Sequence, residues 1–226
     1  MALDTIPTNY KDEFGEILVN DSGAISLKLN RVILWPGSYL DKPGISRKVQ
    51  KDYPDAQPQY AATLYAPATH AVVVKEFATR YVLTNCSLAQ QAQLAALKGT
   101  YLPLNKFRAI NKQIEGISPD DVVLRASANI NVPIAYKRGQ EVSDPVEISK
   151  LFYPGCIVDL VVSHFYRERR DIGLGYNLLA INFADDGEPI KTKANPLQGI
   201  NVSRLFGGSG EEKKPDSAVQ GFNLGF

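Results

Sequence analysis

The chain has 226 residues, 44% of them hydrophobic and 22% charged, the balance of a globular protein with one sizeable core or two small ones. Its 25 Lys and Arg against 24 Asp and Glu leave a formal charge of +1, so whole-chain charge does not point to a polyanion partner and any basic footprint has to be found by position. Two Cys and two His, with Cys86 and Cys156 far apart, exclude a redox pair in sequence and make a closed zinc site unlikely to assemble, since it would need all four; no metal or cofactor is expected.

The first residues, "MALDTIPTNYKDEF", have neither the basic flank nor the apolar centre of a signal peptide, and no apolar run is long enough for a bilayer. The expectation is a protein of the cytoplasm with no membrane partner. "NDSG" at 20–23 reads as a turn. "AISLKLN" then alternates, with Ile25, Leu27 and Leu29 on one face, and "RVILW" continues the apolar character until Pro36 and Gly37 stop it. Residues 36–58, with four prolines plus Arg47, Lys48 and Lys51, read as a long connection, either simply solvated or reaching a polyanion.

"QYAATLY" at 59–65 and the stretch from Ala71 to Leu83, rich in Tyr, Thr and Val, read as further strands. "SLAQQAQLAALK" reads as a helix from an N-cap at Ser87 to Lys98, with Gly99 as its stop and Leu88, Ala92, Ala95 and Ala96 on one stripe. "LNKFRAINKQI" is compatible with a second, shorter helix before Gly116. In "VVLRASANI", Val122, Leu124, Ala126, Ala128 and Ile130 face one way, with Arg125, Ser127 and Asn129 opposite. In "CIVDLVVSHFYR", Cys156, Val158, Leu160 and Val162 share a core face, with Cys156 as a small buried hydrophobe. Asp159, Val161, Ser163, Phe165 and Arg167 share the other face. "YNLLAINF" places Leu179, Ile181 and Phe183 together before the "DDGEP" turn at 185–189.

Five or six alternating strands with one or two helices and no βαβ repeats predict a mainly β fold, an antiparallel barrel with long loops. Residues 1–206 read as one domain, and 207–226, opening on "GGSGEEKKPDS", as a flexible tail.

Four places set an aromatic ring beside a cation: Phe165 and Tyr166 with Arg167, Arg169 and Arg170; Tyr136 with Lys137 and Arg138; Phe107 with Lys106 and Arg108; and Tyr81 with Arg80. Rings that stack on any base and guanidinium groups that meet phosphates are the chemistry of a platform for unpaired strands. Each cluster also has a plain reading: Phe165 as a barrel cap, Tyr166 buried with its hydroxyl on a partner, the arginines as a salt-laced loop with Glu168 and Asp171, and Phe107 as packing. Catalysis is the weaker reading. Asp120 and Asp121, and Asp185, Asp186 and Glu188, suggest a two-metal nuclease but sit where acidic turn residues are expected. The glycines at 173–175 and 207–210 lack a phosphate-loop context.

The order of segments resembles the phage single-stranded-DNA-binding proteins of the DUF2815 type. The similarity is faint at "QYAATLY", stronger at "VVLRASANINVPIAY", and clearest at "LFYPGCIVDLVVSHFY" and "GLGYNLLAINFADDGEPI". This resemblance implies an OB-fold barrel, without metal or enzymatic activity, that coats single-stranded DNA during phage replication or recombination. It adds Tyr153 and Tyr176 to the aromatic candidates already named, with Arg125 on the polar face of its strand. It also implies that Phe222, Leu224 and Phe226 of the tail contact a phage or host replication protein, although two lysines among the tail's acidic residues depart from a strongly acidic pattern. The competing expectation is a virion or scaffold component in which the same rings and arginines form a subunit contact.

Overall fold

Residues 10–45, 47–97, 105–106, 121–128, 132–168 and 172–190 are described by a computed structural model. They lie in the unit Met1–Ile190; the expected boundary at 206 and the tail fall outside the described residues. In chain order the elements are β1 (Gly15–Val19), β2 (Ile25–Gly44), α1 (Arg47–Asp52), β3 (Gln59–Ala66), a 3₁₀ turn at Ala68–His70, α2 (Ala71–Asn85) and α3 (Leu88–Ala96). There follow β4 (Asn105–Lys106), β5 (Val122–Ala128), β6 (Ile134–Lys137), β7 (Gln140–Val142), α4 (Pro145–Leu151), β8 (Ile157–Arg167) and β9 (Gly173–Asp185).

β2 is 20 residues long, about 65 Å if straight, and instead curls to serve two neighbours. Its first half pairs with β8, Leu27 opposite Val162 and Ile33 opposite Ile157, and its second half with β3, Ile33 opposite Tyr65 and Tyr39 opposite Ala61. β3 pairs antiparallel with β5, β5 runs parallel to β9 at Ala126 and Ser127, and β9 returns antiparallel along β8. The circuit β2-β3-β5-β9-β8-β2 is a closed five-stranded barrel of OB-fold order. β1 lies along β2, and the β6–β7 hairpin extends the edge of β9 beyond β5.

The apolar run at 32–35 has a specific cause. A register shift between Leu29 and Val32, with Arg31 at φ 51°, inserts a bulge. The inward set therefore changes from Leu27 and Leu29 to Val32 and Leu34, all buried in the core. Ile33 and Trp35 then face outward, where Tyr65 and Val123 cover them in a small second cluster. Pro36 and Gly37 do not end the strand as the sequence suggests; they bend it. Pro36 has no N–H to give, and the Ser38 hydroxyl stands in by donating to Trp35 O at 2.9 Å and accepting from Thr63 N at 3.0 Å.

Two sequence expectations fail in physical detail. Residues 71–83 form helix α2, not strands: Val73, Val74, Phe77 and Ala78 are buried at the i, i+1, i+4, i+5 spacing of one helical face. Three consecutive valines raise β propensity, and packing against the barrel overrides it. Leu179 does not share a face with Ile181. The β8–β9 register slips between Val161 and Val162, leaving Leu179 as an exposed bulge, so Tyr176 and Leu178 point inward before it and Ile181 after it.

α3 starts where expected. Ser87 accepts from Gln90 N at 3.3 Å and the Gln90 side chain accepts from Ser87 N at 2.9 Å, a capping box. Its buried anchor is Leu94, however, and Leu88 is 83% exposed, so the stripe runs one position away from the expected one. α4 was not anticipated, although Asp144 caps it through Val146 N at 3.1 Å and Pro145 opens it. Cys156 is fully buried, and that burial pushes its thiol up to about 12, consistent with a structural hydrophobe.

Inside the barrel, His164 of β8 stacks between Phe77 at 4.5 Å and Tyr176 at 4.7 Å, with Tyr81 edge-on at 5.4 Å. Its Nδ1 lies 3.1 Å from Gly175 O, and burial lowers its pKa from 6.5 to about 4. The unfolded chain therefore takes up this proton first. The stability that neutral His164 contributes is complete above pH 6.5 and is lost as pH falls toward 4, by roughly 3 kcal/mol in all. His164→Phe should flatten the corresponding part of the stability curve in urea denaturation across that range; an unchanged acid slope would contradict it.

Candidate nucleic-acid interface

Outward-facing residues of the barrel are set by the same two-residue alternation that buries the core. On β8 these are Asp159, Val161, Ser163, Phe165 and Arg167, all intermediate in exposure, while Val158, Leu160, Val162 and His164 between them are buried. Phe165 pairs with Gly175 across the β8–β9 ladder. Its ring lies over that glycine: a Cβ built there would come within 2.4 Å of Phe165 Cζ. The missing side chain on β9 gives one face of the ring a backbone floor, and the residue as a whole is partly exposed.

Continuing the β5–β9 register by one residue sets Arg125 level with Gly175, so Thr63, Arg125, Gly175 and Phe165 form one row across β3, β5, β9 and β8. Arg125 is exposed, and its guanidinium donates to Thr63 Oγ1 at 3.2 Å and reaches Gly37 O at 3.5 Å. Arg167 stands one outward position beyond Phe165, with its Nε buried and without a hydrogen-bond partner among the described residues. A second ring-on-glycine contact lies at the end of β2, where a Cβ at Gly44 would meet Tyr39 Cδ1 at 2.2 Å. Beyond it, α1 and the connection to β3 present exposed Lys51 and Tyr53. In OB folds the face of the second and third barrel strands, here β3 and β5, and the loops joining strands one to two and four to five are where oligonucleotides bind. Arg125 lies on that strand face, while Tyr39 and Phe165 lie within β2 and β8, on the strands that lead into those two loops.

Tyr136, Lys137 and Arg138 sit apart, on the β6–β7 hairpin. Lys137 pairs with Gln140, and the two turn residues Arg138 and Gly139 have φ of 51° and 79°, the positive values a type I′ turn needs. Arg138 is exposed, and Tyr136 walls a cleft of about 350 Å³ together with Lys28, Asp159 and Asn182.

Several candidates are instead packing residues. Arg80 is 8% exposed, donates to Glu76 Oε1 at 2.8 Å and lies 5.8 Å from the Tyr10 ring centroid. Tyr81 and Tyr166 pack around Ala78, Cys86, Leu94 and Leu174, with the Tyr166 hydroxyl donating to Gln93. Tyr176 is 2% exposed in the core. The Tyr153 hydroxyl donates to Gly187 O at 3.0 Å and accepts from Gly187 N at 3.0 Å, tying down the chain after β9. Lys106 falls on β4 beside Val122. Arg108, Arg169, Arg170, Phe222, Leu224 and Phe226 lie outside the described residues.

The acidic groups weighed for a nuclease have structural partners. Buried Asp121 accepts from the Tyr65 hydroxyl and from Ala68 N at 3.1 Å, and Asp185 lies 3.4 Å from Arg31. Among the described residues no three His, Cys, Asp or Glu side chains cluster as metal ligands. No described helix is long and apolar enough to cross a membrane. Sequence reasoning missed Tyr39, Lys28, Asp159 and Asn182 as site residues; only Tyr39 carries a local signal, a glycine five residues on at Gly44, while the other three are brought together by register alone.

No protein-family model and no curated protein sequence matches the chain, so the DUF2815 resemblance gains no support from either comparison. Solved structures do match its fold. The single-stranded DNA-binding protein from bacteriophage Enc34 in complex with ssDNA aligns at a TM-score of 0.62 and 23% identity, covering 80% of this chain and 96% of that one. A C-terminal truncation of that protein aligns at 0.60 and 22% identity, over 80% of this chain and 95% of that one. A further Enc34 structure gives 0.55 and 19%, over 84% of this chain and 94% of that one.

The ring-on-glycine contact makes a prediction with a sign reversal. Gly175→Ala should destabilise the protein by about 1–2 kcal/mol, because the new methyl group displaces Phe165. In a Phe165→Ala background the same change should be neutral or stabilise by up to about 1 kcal/mol, as alanine replaces glycine in a strand. Chemical denaturation of the four proteins checks this, and equal effects in both backgrounds would contradict the contact.

Proposed function

We propose that the chain is a sequence-tolerant single-stranded DNA-binding protein that coats and protects unpaired DNA during phage replication or recombination. The single observation that supports this most is the Phe165 ring held flat on Gly175, with Arg125 on the same row and Arg167 one position beyond. A ring so placed offers a π-face that any base can stack on, and the flanking guanidinium groups meet the phosphates on either side. Tyr39 over Gly44, with Lys51 and Tyr53 beyond it, extends the same chemistry to the connection between the first two barrel strands. The fold-level likeness to the Enc34 protein, itself described as a single-stranded DNA-binding protein and solved with ssDNA, agrees with this reading.

Phe222, Leu224 and Phe226 remain the candidate contact to a phage or host replication protein.

Phe165→Ala should weaken binding to oligonucleotides of every sequence by about 1–3 kcal/mol. Arg125→Ala and Arg167→Ala should each reduce the slope of log affinity against log salt by about 0.7. Fluorescence titration with unstructured oligonucleotides at several salt concentrations measures both. Affinity unaffected by Phe165→Ala, or an unaltered slope in both arginine variants, would contradict the proposal.

A further inference from the structure

The cleft beside the β6–β7 hairpin is separate from the Phe165 row. Asp159 lies six residues before Phe165 on the same outward face of β8, about 20 Å along the strand. Two registers build the cleft. Lys28 of β2 faces Val161 of β8, which faces Ala180 of β9, which faces Ile134 of β6. One step along, Asp159 faces Asn182, which faces Tyr136. The floor is thus made of small apolar side chains, Val161 and Ala180, with a tyrosine ring on one wall, an ammonium group on another and a carboxylate–amide pair at one end.

That pair is held in place and oriented. Asp159 Oδ1 accepts the backbone N–H of Arg31 at 2.9 Å, which the Arg31 bulge directs at it, and Oδ2 accepts from Asn182 Nδ2 at 3.1 Å. Those bonds leave lone pairs on both carboxylate oxygens, and Asn182 Oδ1 accepts no hydrogen bond from the described residues. The exposed polar end of the cleft is therefore rich in acceptors. Lys28 lines it as a cation, and exposed Arg138 sits in the hairpin turn next to the lining residue Gly139. A planar ring with an edge of N–H donors and an attached phosphate matches each of these features. About 350 Å³ is at the lower end of the range for small-molecule sites.

We propose that this cleft is a single-nucleotide subsite that takes one guanine of the bound strand, its ring against Tyr136, its N–H edge on Asp159 and Asn182, and its phosphate near Lys28 and Arg138. Guanine presents two adjacent donors, N1–H and N2–H, to a carboxylate. Adenine and cytosine present one amino group, and thymine flanks its single N–H with carbonyl oxygens that the carboxylate repels. The subsite rests on the single-stranded DNA-binding reading and adds a preference at one position to otherwise sequence-tolerant binding.

The test compares an all-thymine oligonucleotide with one carrying a single central guanine, by fluorescence titration on the full chain at fixed salt. The guanine oligonucleotide should bind about tenfold tighter, the discrimination one bidentate pair provides. Tyr136→Ala and Asp159→Asn should each bring that ratio to within about twofold; thermal melting confirms that both variants fold. Equal affinities in the parent, or a ratio that survives both substitutions, overturns the subsite while leaving all-thymine binding and its dependence on Phe165 intact. Absence of binding to either strand overturns this proposal together with the reading beneath it. A change of oligomeric state in Tyr136→Ala with an unchanged base ratio would reassign the cleft, with its exposed neighbours Val132, Ile134 and Leu179, to a contact between copies of the chain.

Discussion

One strand carries the closure of this barrel. β2 must satisfy β8 with its first half and β3 with its second, and it can do so only by turning its inward face over midway. The bulge at Arg31 performs that turn. Without it, a strict alternation would carry Val32 and Leu34 to the surface and bring Ile33 and Trp35 into a core already filled by Leu124 and Leu160. Asp159 receives the bulged N–H, so the device that closes the barrel also fixes a carboxylate on its outer surface. Core register and surface chemistry are set by the same local geometry.

A second consequence is the division of labour along β8. Inward side chains at its far end, His164 and Tyr166, are held by rings and leucines from α2, α3 and β9. Outward ones, Phe165 and Arg167, are thereby fixed on a strand that cannot rotate without unpacking the helices. On the proposed reading, a ring held in this way loses little conformational freedom when a base arrives, which is where preorganisation contributes to affinity. The glycine opposite Phe165 completes the arrangement by removing the side chain that would lift the ring off the sheet.

How much of this was legible in the sequence depended on what kind of fact was asked of it. Composition marked 59–65 as a strand, and alternation at 25–29, 122–128 and 156–165 marked strands with their faces, because a half-buried strand exposes every second residue. Alternation failed wherever a bulge changed the phase, as at Leu179, and where both faces are covered, as at Ile33 and Trp35. Helix α2 was hidden by its valines, yet its buried positions keep helical spacing. At the candidate site, parity placed Phe165 and Arg125 outward but could not name the partner across the sheet, since Gly175 and Asn182 lie far from them in sequence. Parity in β8 also marked Tyr166 as inward; it and Tyr81 stand beside arginines in sequence yet pack around Leu94 and Leu174, and Tyr176, carried over from the family resemblance, lies in the core. Short-range clustering of rings and cations reports composition; only register decides which of them share a surface.

The central claim, that the outward faces of β5, β8 and β9 receive unpaired DNA, is tested most directly by hydrogen exchange of the full chain with and without an unstructured oligonucleotide. Added strand should slow exchange in peptides spanning 122–128, 157–167 and 173–177, leaving α2 and α3 unaffected. Protection confined to those helices, or none at saturating oligonucleotide, would contradict it.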